Sequence, residues 1–149
     1  MPGNLPAIIG VLNGGLMDVV VEQPDAEELN IITGEIVDAA VKIHKAIGPG
    51  LLENAYEICL VHELNKRGLP VERQVAIPVV HDGEKIDAGF RADLLVKKCV
   101  IVELKAVECL KPAHHAQVIT YLKLTGCKIG LILNFNVYSM KNGIKRIAV

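Results

Sequence analysis

The sequence predicts an α/β domain with a central mixed sheet flanked by helices, and three observations predict it. Apolar residues recur at helical spacing through two stretches parted by Gly48-Pro49-Gly50. Three strand-like stretches then follow between residues 71 and 106, joined by short connections. A helical run and an apolar strand close the pattern between residues 113 and 134, an order that brings the last strand back parallel to a neighbour. The element order is therefore α-α-β-β-β-α-β.

Residues 1–27 read as an irregular leader. Pro6, Gly10, Gly14 and Gly15 interrupt its apolar stretch, leaving room for a short strand or a disordered arm. Residues 28–149 form the domain. Its first helix carries Ile32, Ile36, Ala39, Ala40, Ile43 and Ile47 as one apolar stripe, with Thr33 as N-cap. The second helix spans 51–67, with Tyr56, Leu60 and Leu64 beside Ala55, Cys59 and His62. Gly68 and Pro70 end it. β-branched residues mark a strand over 71–80, where Pro78 signals an edge or a bulge. After the turn signal His81-Asp82-Gly83, a strand returns over 85–96. Lys97-Lys98 makes a tight connection to a third strand over 99–106. Pro112 precedes a helix over 113–125 that Gly126 closes, and 128–134 is an apolar strand. Asn142-Gly143 then signals a short terminal hairpin.

At 149 residues and 51% hydrophobic, the chain can bury a sizeable core. With 3% aromatic residues, aliphatic side chains must fill it. No apolar run approaches the roughly 20 residues of a membrane helix. A net charge of -1 counts against a protein that coats nucleic acid, and less against an enzyme that holds it briefly. Cys59, Cys99, Cys109 and Cys127 form no CxxC pair and match no zinc or iron–sulfur spacing. Cys59, Cys99 and Cys127 lie in apolar stretches and read as buried thiols of a reducing cytoplasm. The leader lacks a signal-peptide pattern, so the expected location is cytoplasmic.

The chemistry concentrates on the third strand. Val100, Val102 and Leu104 face one way and are wholly apolar, while Ile101, Glu103 and Lys105 face the other. Counting outward from Lys97-Lys98 places Asp93 opposite Glu103, to within one residue. Two carboxylates in cross-strand contact repel unless a divalent cation lies between them, and oxygen ligands suit Mg²⁺ or Mn²⁺. Lys105 would orient or help deprotonate a water beside such a cation, a set suited to phosphodiester hydrolysis. Ordinary cross-strand ion pairs are the competing reading.

Gly50-Leu51-Leu52-Glu53-Asn54-Ala55-Tyr56 reads Gly-x-x-Glu-x-x-Tyr. It is followed by Phe90-Arg91-Ala92-Asp93, Val102-Glu103-Leu104-Lys105, His115-Ala116-Gln117 with Tyr121, and Asn142-Gly143-Ile144-Lys145-Arg146. In these motifs the chain resembles the GxxExxY proteins, placed in the PD-(D/E)XK nuclease superfamily. The resemblance implies a restriction-endonuclease-like α-β-β-β-α-β core. It also implies that Asp93, Glu103, the Leu104 carbonyl and Glu53 are metal ligands, with Lys105 as the catalytic lysine. Gln117 and Tyr121 look like a Gln-x-x-x-Tyr element that reaches DNA or the site. Ala92 stands where the superfamily's proline often does.

Other residues are read with more restraint. Arg91, on the strand face of Asp93, is the candidate phosphate contact. Tyr56 lies one turn from Glu53 and either packs in the core or hydrogen-bonds into the site. His44 reads as structural or exposed, and His114-His115 as flanking a helix start. Lys97, Lys98, Lys111 and Lys123 are either a substrate patch or solvated surface. The functional expectation is a Mg²⁺-dependent deoxyribonuclease, acting in repair, recombination or defence as a homodimer. The alternative is a catalytically silent nucleic-acid- or protein-binding module on the same fold.

Overall fold

The structure, a computed structural model, describes residues 23–149 together with the strand backbones of β1 (Ala7–Leu12) and β2 (Gly15–Val20). These two strands pair antiparallel, so part of the leader is regular rather than irregular. The sequence signal for such a pair is Asn13-Gly14 between two apolar runs.

Helix α1 (Ala26–Ile47) begins earlier than the apolar stripe indicates. Asp25 is its N-cap, and its side chain accepts the Glu28 N–H at 2.9 Å. Glu27 and Glu28 in the first turn suit the positive end of the helix dipole. Thr33, the expected cap, is buried within the helix and bonds back to the Asn30 carbonyl. The 27/28 boundary thus falls inside the first turn of α1. Gly48, at φ +79°, ends the helix in a conformation that favours glycine.

Helix α2 (Glu53–Lys66) leads into β3 (Val71–Ala76). Beyond Pro78, β4 (Val79–His81) and β5 (Glu84–Ile86) form a two-stranded ribbon of their own. The expected second strand is therefore two strands: β5 in the ribbon, and β6 (Arg91–Val96) in the main sheet. Gly89, at φ +83°, lies in the bend between them. Then come β7 (Val100–Lys105), α3 (Pro112–Thr125), β8 (Ile129–Asn134) and β9 (Ile144–Ala148). Asn142-Gly143 lies in a 3₁₀ turn before β9 rather than in a two-residue hairpin.

The main sheet has the order β3-β6-β7-β8-β9. β8 joins parallel to β7, as the crossover through α3 requires, and the other neighbours are antiparallel. This is the α/β, restriction-endonuclease-like arrangement expected from the sequence. Alternation on the strands divides the core in two. Val100, Val102 and Leu104 pack with Ile36, Leu60 and Leu64 of α1 and α2. On the other face Ile101, Leu95 and Ile132 pack with Val118, Tyr121 and Leu122 of α3. Ile47, the end of the expected stripe, is exposed. Among the described residues no helix is long and apolar enough to cross a membrane.

Gly143 is held by space rather than by φ. A Cβ there would run into the backbone carbonyl oxygen of Asn134, which cannot swing aside as a side chain would. Gly143→Ala is expected to destabilise the fold by about 1–3 kcal/mol, the usual scale of overpacking, as measured by urea unfolding. An unchanged midpoint would show that the 3₁₀ turn relaxes freely.

Candidate active site

Lys97, Lys98 and Cys99 join β6 to β7: the two lysines take φ of 49° and 56°, and the Cys99 N–H donates to the Val96 carbonyl at 3.0 Å. With three residues in the connection, Val96 pairs with Val100, Leu95 with Ile101 and Leu94 with Val102. One step further, Asp93 faces Glu103, and there the carboxylates take over from the ladder. The Asp93 N–H donates to Glu103 Oε1 at 3.0 Å, and the Leu104 N–H donates to Asp93 Oδ2 at 2.9 Å. Each acid is thereby held by the backbone of the opposite strand.

On its other side Asp93 meets β3. Arg73 pairs with Leu94 and Val75 with Ala92, but Gln74 between them is skipped. Gln74 sits at φ +50°, uncommon for a residue with a Cβ. Its amide donates to Glu57 Oε1 at 2.9 Å and to Asp93 Oδ1 at 3.4 Å. Glu57 is buried, and Arg73 pairs with its other oxygen at 2.7 Å.

Glu103 is 3% exposed. Burial first, and then the charge of Asp93, push its carboxyl up to about 8, against the opposing pull of the Asp93 N–H and the Lys105 ammonium. Lys105 is half-buried at the end of β7, and its ammonium makes no hydrogen bond or ion pair among the described residues. Its carbonyl accepts the Phe135 N–H at 2.9 Å. The chain leaving β7 is then pinned by Asn134, whose side chain accepts the Val107 N–H at 3.1 Å and donates to the Val107 carbonyl at 2.9 Å.

Glu53 reaches the same strand end from α2, where its Oε1 accepts the Ala106 N–H at 3.3 Å. Tyr56 sets the loop that delivers it. Its hydroxyl donates to the Gly48 carbonyl at 2.6 Å and accepts the Leu51 N–H at 3.2 Å, while its ring stacks on Phe135 at 4.3 Å. Gly50 between them lies at φ +110°. Tyr56 is wholly buried, packs in the core and braces the loop before Glu53. Tyr56→Phe keeps the ring but deletes both bonds, and is expected to lower stability by about 1–2 kcal/mol in urea.

Gln117 and Tyr121 lie together on α3, with the Gln117 amide donating to the Tyr121 hydroxyl at 3.2 Å. Burial first, then the charges of Glu103 and Asp93, raise the Tyr121 hydroxyl above its ordinary value, so this helix face borders the acid pair. Residues 30–147 match the family model of the PD-(D/E)XK nuclease superfamily. The chain belongs to that superfamily. No curated protein and no solved structure matches it.

PD-(D/E)XK nucleases generally use divalent metals. Among the described residues no three His, Cys, Asp or Glu side chains are gathered as a metal cage. Asp93, Glu103 and Glu53 each spend an oxygen on a backbone N–H instead. The donor set still fits a hard divalent cation: it is all oxygen, and Glu103 is a buried carboxyl whose ionisation a cation would relieve. Leu104, expected as a carbonyl ligand, lies between Glu103 and Lys105 with its side chain buried.

Other candidates of this PD-(D/E)XK domain are placed differently. Arg91 heads β6, but its guanidinium pairs with Asp87 at 3.1 Å. His44 is buried, with Nε2 2.8 Å from the Val137 carbonyl, and is structural. His114 accepts the Lys111 N–H through Nδ1 at the start of α3. Lys97 and Lys98 sit at the hairpin turn, the far end of β6 and β7 from Asp93, and pair with Glu28 and Glu72. Lys123, in the last turn of α3, lies toward that end too, so the lysines do not form one patch at the site. Of the thiols, Cys99 and Cys127 are buried as expected, Cys59 is partly so and Cys109 is exposed.

Glu57, Gln74 and Asn134 escaped the sequence reading. Glu57 lies one helical turn from Glu53, and Asn134 is the one polar side chain ending an apolar strand. Those were the available signals; nothing local marks Gln74.

Proposed function

We propose that this PD-(D/E)XK domain is a Mg²⁺- or Mn²⁺-dependent deoxyribonuclease that hydrolyses phosphodiester bonds in repair, recombination or defence. The observation that carries the reading is the break in the β6–β7 ladder, where Asp93 and Glu103 replace backbone pairing beside Lys105. Asp93 and Glu103 would hold the cation, with Glu53 and the Leu104 carbonyl as further oxygen donors. When bound, such a cation supplies positive charge against the charge that develops on the phosphoryl oxygens. Lys105 holds its ammonium toward the reacting phosphate and orients the attacking water. Gln74 and the Leu104 N–H keep Asp93 in place. Tyr121 is buried and steadies Gln117 at the rim, where the Gln117 amide can meet the substrate backbone. Arg91 joins them only by leaving Asp87.

The Gly50–Glu53–Tyr56 motif supports the narrower assignment to the GxxExxY proteins, since its members set the loop and the acid at the site. A homodimer is supported by exposed Ile31, Ile47, Leu51, Leu52 and Ile58 on and between α1 and α2. The four unpaired cysteines are in keeping with a cytoplasmic location. The test is incubation with supercoiled, linear, single-stranded and branched DNA in Mn²⁺, Mg²⁺ or chelator. Cleavage that needs the metal supports the reading. The second reading is a silent binding module, since Asp93, Glu103 and Glu53 each spend an oxygen on a backbone N–H. It predicts saturable DNA binding that chelator leaves unchanged, without cleavage.

A further inference from the structure

Aromatic residues are scarce: Tyr56, Tyr121 and Phe135 are buried, Tyr138 is exposed, and Phe90 is 46% exposed at the entry to β6. Its backbone is nonetheless fixed, because its carbonyl accepts the Ile77 N–H at 2.9 Å. The ring forms one wall of a cleft of about 310 Å³, with Val79 of the ribbon beside it. The facing wall is α3, which presents Ala113, Ala116 and Thr120, with Gln117 and Tyr121 toward the acid pair.

Three features select an occupant. The lining is uncharged and largely apolar, with amide and hydroxyl groups at Gln117 and Thr120 that can meet a ring edge. The cleft adjoins the site through Tyr121, which lines it and packs in the core with Ile101, the neighbour of Glu103 on the same face of β7. The first turn of α3, which borders it, carries no acid and follows Lys111, so a backbone anion can approach there.

We propose that this cleft takes one unpaired nucleobase of a single-stranded nucleic acid, stacked on Phe90, while the adjoining backbone lies at the acid pair. The inference deepens the nuclease reading and rests on its nucleic-acid substrate. It makes an unpaired strand, rather than continuous duplex, the preferred ligand. A flat ring with polar edges matches both the exposed aromatic face and the polar rim, and every base has such a face.

The chain has no tryptophan, so Phe90→Trp places a single indole in the cleft. Its emission is followed during titration with a short single-stranded oligodeoxynucleotide, an abasic strand of equal length and a blunt duplex, with Ca²⁺ in place of Mg²⁺. Saturable quenching by the base-bearing strand, and none by the abasic strand or the duplex, is expected. In anisotropy, Phe90→Ala and the cleft-filling Ala116→Leu should bind the single strand about tenfold more weakly than wild type, the scale of one lost stacking contact. Binding without quenching, equal quenching by the abasic strand, unchanged affinity of Phe90→Ala, or no binding at all would each overturn the proposal. Cleavage by the wild-type protein is scored separately. Quenching without metal-dependent cleavage sinks only the nuclease reading, and cleavage without quenching sinks only this one.

Discussion

Lys105→Ala lowers the rate of DNA cleavage by about 10²-fold or more, the scale on which a positioned charge stabilises a transition state. The fold should tolerate the change. The ammonium makes no ion pair or hydrogen bond among the described residues, so its loss strands no partner. The backbone at this point is held by the Phe135 N–H on the Lys105 carbonyl and by Asn134 on Val107, and neither bond involves the side chain. Unfolding should therefore move by no more than about 0.5 kcal/mol. Single-turnover rates on one DNA substrate, measured beside thermal unfolding, separate the two effects. The loss should fall on the chemical step rather than on DNA affinity. A variant that cleaves as fast as wild type would remove Lys105 from the mechanism.

Glu103→Gln should abolish cleavage and yet stabilise the metal-free protein at pH 8. The folded protein holds the Glu103 carboxyl near 8, well above the 4.5 of an unperturbed glutamate. Between those values the unfolded chain has released its proton while the folded one keeps it, so raising the pH favours unfolding. The contribution is fully present below about pH 4.5 and is lost as the pH climbs through 8. A shift of this size amounts to a few kcal/mol at most, since one unit is about 1.4 kcal/mol. Glutamine carries no proton to lose, and its oxygen can still accept the Asp93 N–H. Melting curves from pH 5 to pH 8 in chelator should fall for wild type and stay flatter for the variant. Mn²⁺ should raise the wild-type midpoint more at pH 8 than at pH 5, and should leave the variant unmoved. Parallel curves for the two proteins would show that Glu103 is not a strained acid.

Much of the fold is legible because the two periods, 3.6 and 2, do not imitate one another over these lengths. The facing of Asp93 and Glu103 is legible to within one residue because the connection at Lys97-Lys98 is short, and the inclusion of Cys99 in it sets the final register. What was not legible depends on where the backbone departs from regularity. The start of α1 lies upstream of its apolar stripe because Asp25 caps it and Glu27 and Glu28 extend it, a polar signal that apolar counting passes over. The ribbon β4–β5 looks like part of the main strands, since Pro78 and Gly89 announce a break but not where the chain goes. Gln74 reaches Asp93 only because β3 skips a pair there, which no local pattern records. Tyr56 is one turn from Glu53 in either reading. Its stacking on Phe135, far along the chain, decides that it braces a loop. The two readings of the lysines could not be separated, because a sequence does not say which end of a hairpin carries the site.

The most direct measurement follows Mn²⁺ binding by electron paramagnetic resonance and DNA cleavage in the same samples, for wild type and for Asp93→Asn. Bound Mn²⁺ and cleavage should rise together in wild type and be lost together in the variant. Cleavage that persists in chelator, or an Asp93→Asn protein that binds Mn²⁺ and cuts DNA as wild type does, would contradict the account.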